Sequence, residues 1–365
     1  MIRIQGPRAY VQGPGILKKL GSLVQPLGSH FLVVTGHTGM TRYRAAVEEG
    51  FREAGAAVEF VRFGGESTAA EADRVTALAR EAGCDGVIGL GGGKVIDTGK
   101  LTAHRLGCAM VVVPTLASSD APCSSLSIVY DEKGAVSEVV LLGRNPDLVA
   151  VDSEVIAQAP ARMLACGMGD ALATYYEARV CHENGFPNAI GTQIPVTGIG
   201  LARLCRDTLY ADGLDAMEAV RAQKVTPALE RVIEANTYLS AVGFECGGLS
   251  CAHALQDALS ELEDCHGCYH GEKVAFGTLC LLAAEGRPEE EQRQAMDFCA
   301  QAGLPVTLAQ LGLTEGVEEK LRSIQHLFCP PDDIAHSAPP GVDGGKLLSA
   351  IYQVDRRGRE TLEKM

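Results

Sequence analysis

The chain is short of basic residues: 32 Lys and Arg stand against 46 Asp and Glu among 365 residues, a formal balance of −14. Neutralising a phosphate backbone or an anionic lipid surface needs clustered cations, so this balance argues against nucleic-acid and membrane-surface partners. No apolar run approaches the roughly 18 residues that a membrane-spanning helix requires. The opening Met1-Ile2-Arg3-Ile4-Gln5-Gly6-Pro7 lacks the apolar core of a secretory leader, so a cytoplasmic location is expected. There is no internal repeat and no low-complexity tract. An apolar fraction of 46% with 21% charged residues excludes a disordered chain. The length suffices for two domains, or one large one, around a sizeable core.

Two residue types are abundant. Thirteen cysteines, an odd number scattered over a long chain, do not read as a disulfide framework, and reduced thiols are expected. Glycine occurs 42 times, above its usual roughly 7% share, and asks for a more specific explanation.

The first half alternates between two periods. Phe31–Thr35, Ala57–Val61, Gly86–Leu90 and Ala109–Val113 are apolar runs of strand length, suited to strands buried on both faces of a parallel sheet. Between them lie segments such as Thr68–Ala82, rich in Ala, Glu and Arg, with helical character. Alternation of this kind predicts a doubly wound, Rossmann-like α/β domain. Leu126–Tyr130 and Ser137–Leu142, separated by Asp131-Glu132-Lys133-Gly134, read as a β-hairpin beside that sheet. After Pro160 strand signals nearly vanish. Helical stretches follow, among them Glu218–Ala241, Leu249–Leu262 and the tail from Gly345, and Pro330-Pro331 and Pro339-Pro340 bracket a loop carrying His336. The division predicts an α/β domain over 1–160 and an all-α domain over 161–365.

The strongest local motif is Gly89-Leu90-Gly91-Gly92-Gly93-Lys94-Val95-Ile96-Asp97, which ends a strand and opens a helix. Glycines there let the backbone approach a pyrophosphate, and a helix N-terminus supplies free N–H groups and a positive dipole end. The motif is neither the six-residue dinucleotide fingerprint nor a Walker A loop. A tight turn without ligand is the bland alternative. The carboxyl end of a strand in an open α/β sheet favours phosphate binding.

This motif, with Pro114-Thr115-Leu116-Ala117-Ser118-Ser119-Asp120-Ala121-Pro122-Cys123-Ser124, resembles the iron-containing (group III) alcohol dehydrogenases. The similarity continues through Thr226–Ser240 and His270–Leu279, so it extends from the first residues to about residue 350. It implies the two-domain architecture shared with dehydroquinate synthases, with the active site in the cleft between the domains.

Spacing alone nominates His266 and His270 as a metal pair, i and i+4, although Gly267 makes that stretch loop-like. Cys265 and Cys268 form a lone Cys-x-x-Cys, a weak signal. The resemblance selects otherwise. It implies that Asp170, in Gly167-Met168-Gly169-Asp170-Ala171-Leu172-Ala173, holds a catalytic metal together with His253 and His270. The bland readings are a helix N-cap for Asp170 and a satisfied core histidine for His253. Iron-binding relatives carry a histidine four residues after the Asp, where this chain has Thr174, which favours zinc over iron.

The resemblance further implies that Gly92, Gly93, Lys94, Asp97, Thr115, Ser118, Ser124, Leu126 and Tyr130 bind a nicotinamide dinucleotide, and that Asp120 contacts the substrate. The implied activity is a metal-dependent hydride transfer between NAD and a small polyol, glycerol or a related vicinal diol. Rival readings are another group III alcohol or hydroxy-acid dehydrogenase, or a dehydroquinate synthase-like lyase. Gly36 stands where NAD-dependent relatives place an acid, with Thr38 and Arg42 beyond it, so NADP is a live alternative. Gln256 replaces a second histidine common after the first metal histidine, which leaves the particular diol open. Cys123 is expected to make the enzyme sensitive to thiol reagents. Relatives assemble as homo-oligomers, and the same is expected here.

Overall fold

The structure, a computed structural model, describes residues 1–132, 134–330 and 335–365. Lys133 of the expected hairpin turn and Pro331 of the late loop lie outside the described residues.

The apolar runs become the strands of one six-stranded sheet. These are β1 (Tyr10–Gly13), β2 (His30–Thr35), β3 (Ala57–Arg62), β4 (Gly86–Gly91), β5 (Ala109–Pro114) and, after the hairpin, β8 (Leu148–Asp152). Their order is β1-β8-β5-β4-β2-β3, and every neighbouring pair is parallel. Four helices alternate with the early strands: α1 (Ile16–Val24), α2 (Arg44–Ala54), α3 (Ala69–Glu81) and α4 (Gly93–Leu106). Successive side chains of a strand point to opposite faces, and the core follows that period. Phe31 and Val33 join a cluster with Leu20, Phe51 and Val111, whereas Leu32 and Val34 join Val75, Val87 and Met110. A sheet covered on both sides needs uninterrupted apolar strands, as the sequence shows.

The doubly wound α/β expectation therefore holds. β3 and β4 flank β2 on opposite sides, so the winding reverses between β2 and β4. Their carboxyl ends carry Gly36 and Gly91-Gly92-Gly93, the position at which such sheets bind ligands. β6 (Leu126–Tyr130) and β7 (Val136–Leu141) form the expected antiparallel hairpin. Thr68 caps α3 by accepting from the Glu71 N–H at 3.1 Å.

Beyond Pro160 the chain is almost wholly helical. After the short α5 (Ser153–Ala157) come α6 (Ala161–Asn184), α7 (Val196–Arg221), α8 (Pro227–Glu234) and α9 (Ser240–Gly247). Next are α10 (Cys251–Ser260), α11 (His270–Glu285), α12 (Glu289–Ala302), α13 (Val317–Ile324) and α14 (Gly344–Leu362). Two-residue strands β9 (Leu249–Ser250) and β10 (His336–Ser337) pair in parallel. The stretch Glu218–Ala241, expected as one helix, is broken. Gln223 adopts left-handed φ 53°, and Thr226 caps a new helix whose first residue is Pro227. A π turn over Ala235–Leu239 then leads into α9.

Two compact units result. One comprises Gln5–Pro160 with Ala219–Ala241; the other comprises Met1–Ile4, Ala161–Glu218 and Val242–Met365. Within the first, α8 packs on β1 and α5, and Glu230 accepts from Gln12 Nε2 and from the Ser153 hydroxyl at 2.6 Å. No helix among the described residues is long and apolar enough to cross a membrane.

The expectation of uniformly reduced thiols is corrected at one place. Cys251 and Cys329, 78 residues apart, form a disulfide, because the fold brings their Cα atoms to 5.7 Å. The other eleven cysteines form no disulfide.

One buried carboxylate organises the start of the sheet unit. Asp152, at the end of β8, accepts from the N–H groups of Leu17 at 2.9 Å, Gly15 at 3.2 Å and Glu154 at 3.1 Å. It thus satisfies the first turns of both α1 and α5. Asp152→Ala is expected to destabilise the protein by about 2–4 kcal/mol, because it orphans three N–H groups, that of Leu17 fully buried. The urea midpoint measures this, and a change within experimental error would contradict the capping role.

Candidate active site

The helical unit brings Asp170, His253 and His270 together. One potential ligand atom from each lies within 4.8 Å of the others, the one such group of three or more among the described residues. His270 Nε2 is 3.1 Å and His253 Nε2 3.5 Å from the same Asp170 Oδ1. Asp170 sits inside α6 rather than capping it and is 1% exposed. His270 opens α11 and is partly exposed, so the group is reachable from one side. Thr174, one turn after Asp170, is buried. His266 instead approaches the Ser260 carbonyl through Nε2 at 3.1 Å. Cys265 and Cys268 are free thiols away from the three ligands, and burial pushes the Cys265 thiol up to about 11.

Glu177 was not visible from motif reading. It lies seven residues after Asp170 on α6, nearly two full turns, and therefore on the same face. Its Oε2 is 2.6 Å from His253 Nδ1, which aims the other ring nitrogen at Asp170. Its Oε1 accepts from the Ser250 and His253 N–H groups at 2.9 and 3.0 Å, filling the open first turn of α10. A second anchor holds α11. Arg162 grips Glu272 with two hydrogen bonds of 2.6 and 2.7 Å, and Glu272 accepts from the Tyr269 N–H that precedes His270.

Electrostatics match the geometry. Burial alone would raise the Asp170 carboxyl, but His270 and His253 hold it well below the usual carboxylate range. Glu177 is likewise kept low by His253 against the effect of burial. Burial would depress His253, yet Glu177 and Asp170 raise it well above an ordinary imidazole. Two ionised, buried carboxylates facing two imidazoles form a preformed site for positive charge. Three N/O ligands with a carboxylate behind one histidine suit a divalent metal with an open coordination position.

The expected dinucleotide residues collect in the sheet unit. Gly92 is the N-cap of α4, and Gly93 and Lys94 are its first residues. A Cβ on Gly93 would meet nothing within 4 Å, so the first turn of that helix stands bare for an anion. Lys94 pairs with Glu66 at 2.5 Å and lies 4.8 Å from the Tyr130 ring centre. Burial, with Asp97 and Glu66 nearby, pushes the Tyr130 phenol up to about 12, so it remains a neutral donor. The Thr115 N–H donates to the Gly91 carbonyl at 3.0 Å. Ser118 and Asp120 lie on the irregular stretch that follows, Ser124 is buried at its end, and Leu126 opens β6. Asp97 turns inward: it pairs with Lys100 at 3.1 Å, while burial pushes its carboxyl up. Cys123 is 0% exposed, so the expected sensitivity to thiol reagents requires this segment to open.

The profile described as iron-containing alcohol dehydrogenase matches residues 7–153. A glycerol dehydrogenase from Escherichia coli O6:H1 is 43% identical over 361 residues, covering 99% of this chain and 98% of that protein. Another from Pseudomonas putida is 43% identical over 99% of both chains. This chain belongs to the iron-containing alcohol dehydrogenase family. It is an oxidoreductase of the alcohol dehydrogenase type, in a family of metal-dependent, NAD-linked enzymes. A probable glycerol dehydrogenase structure from Sinorhizobium meliloti superposes on this family member with a TM-score of 0.91. The identity is 41%, and the match covers 98% of this chain and 99% of that one.

Glu177→Gln keeps the size of the side chain and removes the charge behind His253. It is expected to weaken divalent-metal binding about 10–100-fold, as loss of a carboxylate behind a metal histidine does elsewhere. Competition with a chromophoric chelator measures the change, and wild-type metal affinity in a folded variant would refute the orienting role.

Proposed function

We propose that this dehydrogenase oxidises a small polyol in the cytoplasm, glycerol to dihydroxyacetone or a related vicinal diol, with NAD as acceptor. The observation that carries the reading is the convergence of Asp170, His253 and His270 on one point in a chain 43% identical to glycerol dehydrogenases. Residues 1–160 would serve as the dinucleotide domain and 161–365 as the metal domain. Asp170, His253 and His270 would hold the metal, and Thr174 at the fourth position of iron-binding relatives favours zinc. The bound zinc would supply Lewis acidity to a substrate hydroxyl and the nicotinamide would accept hydride.

The chain's own side chains do the positioning. Glu177 keeps the His253 ring turned toward Asp170. Asp120 would accept a hydrogen bond from the second hydroxyl of a vicinal diol, which distinguishes a diol from a simple alcohol. Gly92, Gly93 and Lys94 would receive the pyrophosphate, and Asp97, Thr115, Ser118, Ser124, Leu126 and Tyr130 would shape the rest of the dinucleotide site. A Cβ at Gly36 would meet nothing within 4 Å, so the end of β2 has space for a ribose 2′-phosphate beside Thr38 and Arg42. NAD is favoured as the usual acceptor of the family. Eleven of the thirteen cysteines lie outside the one disulfide, which fits a reducing location better than a disulfide framework would. A homo-oligomer is the assembly proposed.

Absorbance of reduced cofactor, followed with glycerol, 1,2-propanediol and a hydroxy acid, tests the reading. Turnover with the two diols and little with the acid is expected, and turnover confined to the acid would overturn it. The same assay run with NAD and NADP is expected to favour NAD. His253→Ala and His270→Ala should each abolish turnover while circular dichroism stays native; near-normal rates would sink the metal assignment. Metal-replete protein should contain zinc, and predominant iron at full activity would overturn that choice.

A further inference from the structure

Asp97 and Lys100 lie three residues apart on α4 and form an ion pair in the interior, where Lys100 is 1% exposed. A lysine withdrawn from water is costly unless its ammonium group is fully used. Here it donates to the Ala121 carbonyl at 3.0 Å, the Ser124 hydroxyl at 3.2 Å and the Leu126 carbonyl, besides facing Asp97. Asp97 holds the adjoining stretch: its carbonyl accepts from the Ser127 hydroxyl at 2.9 Å, and its carboxylate accepts from the Ile128 N–H. The two side chains on a single helical turn therefore grip four residues between 121 and 128, and the Asp97 main chain holds a fifth, Ser127. The stretch from Thr115 to Ser125 has no regular structure of its own to hold it. Asp120, Ser124, Leu126 and Tyr130 lie on or beside the gripped residues, and the bare first turn of α4 is one turn away.

We propose that the buried Asp97–Lys100 pair is a positioning device that holds segment 120–128 against the phosphate-loop helix in the shape that accepts the dinucleotide. It rests on the reading of this unit as the dinucleotide site. Asp97 accordingly acts through the segment and does not touch the cofactor. A pair that merely stabilised the core could be replaced by uncharged side chains of similar size without loss. A positioning pair could not.

The test uses the full-length protein and three variants, Lys100→Met, Asp97→Asn and the double variant. NADH affinity is read by fluorescence titration, zinc affinity by chelator competition, and alkylation of Cys123 by mass spectrometry. Cys123 is fully buried inside the gripped segment, with its N–H donating to the Asp120 carbonyl at 3.2 Å, so its labelling reports release of that segment. Each single variant is expected to weaken NADH binding and to speed Cys123 labelling, both by about tenfold or more, with zinc affinity unchanged. The double variant should recover thermal stability but not NADH affinity. Asp97→Asn, nearly isosteric, serves if Lys100→Met does not fold. Wild-type NADH affinity in a folded variant, or Cys123 as protected as in the wild type, overturns the proposal. If the wild-type protein binds no NADH, the dinucleotide reading fails and the proposal falls with it. If the wild type binds and the variants bind equally well, this proposal alone fails.

Discussion

The candidate metal centre depends on how closely α6 and α11 cross. A Cβ on Gly271 would lie 1.9 Å from the Cys166 carbonyl oxygen, and one on Gly169 would lie 2.4 Å from the Gly271 carbonyl oxygen. Any larger residue at either position would force the helices apart. Glycine at both lets the first residue of one helix, His270, reach Asp170 in the middle of the other. Arg162 and Glu272 then fix the rotation of the α11 N-terminus, and Glu177 fixes the α10 N-terminus that carries His253. Packing alone therefore brings Asp170, His253 and His270 together, which would reduce the conformational cost of binding a metal there.

Buried charge is used in the same manner in both units. Asp170 and Glu177 face two imidazoles in the helical unit, and Asp97 faces Lys100 in the sheet unit. Such groups are unfavourable when incomplete, and Asp97 Oδ1 is held by the Lys100 charge without a hydrogen bond, so disturbing either network disturbs the segments it joins. The surface excess of acid, by contrast, bears only on the class of partner the chain attracts.

Much of the fold was legible because a doubly covered parallel sheet requires continuous apolar strands, and Phe31–Thr35 through Ala109–Val113 are such runs. Leu148–Asp152 is equally apolar, but the hairpin separates it from the regular strand–helix alternation. The break before α8 carried a readable signal in Thr226-Pro227, an N-cap followed by a first-turn proline. Helical periodicity across Glu218–Ala241 masked it. At the site, spacing pointed to His266 and His270, and resemblance was needed to select Asp170, His253 and His270. The fold brings these three together over 100 residues of chain, which no local pattern encodes. Glu177 and Lys100 escaped because hydropathy places charged residues outside. Each nevertheless stands at a helical repeat from a motif residue, seven positions after Asp170 and three after Asp97, and that repeat is the local signal for it.

Anomalous diffraction at the zinc edge, from crystals of the metal-replete protein, addresses the central claim most directly. The account predicts one strong peak per chain, bonded to Asp170, His253 Nε2 and His270 Nε2. A peak at Cys265 and Cys268, or a zinc ion held without the two histidines, would contradict it.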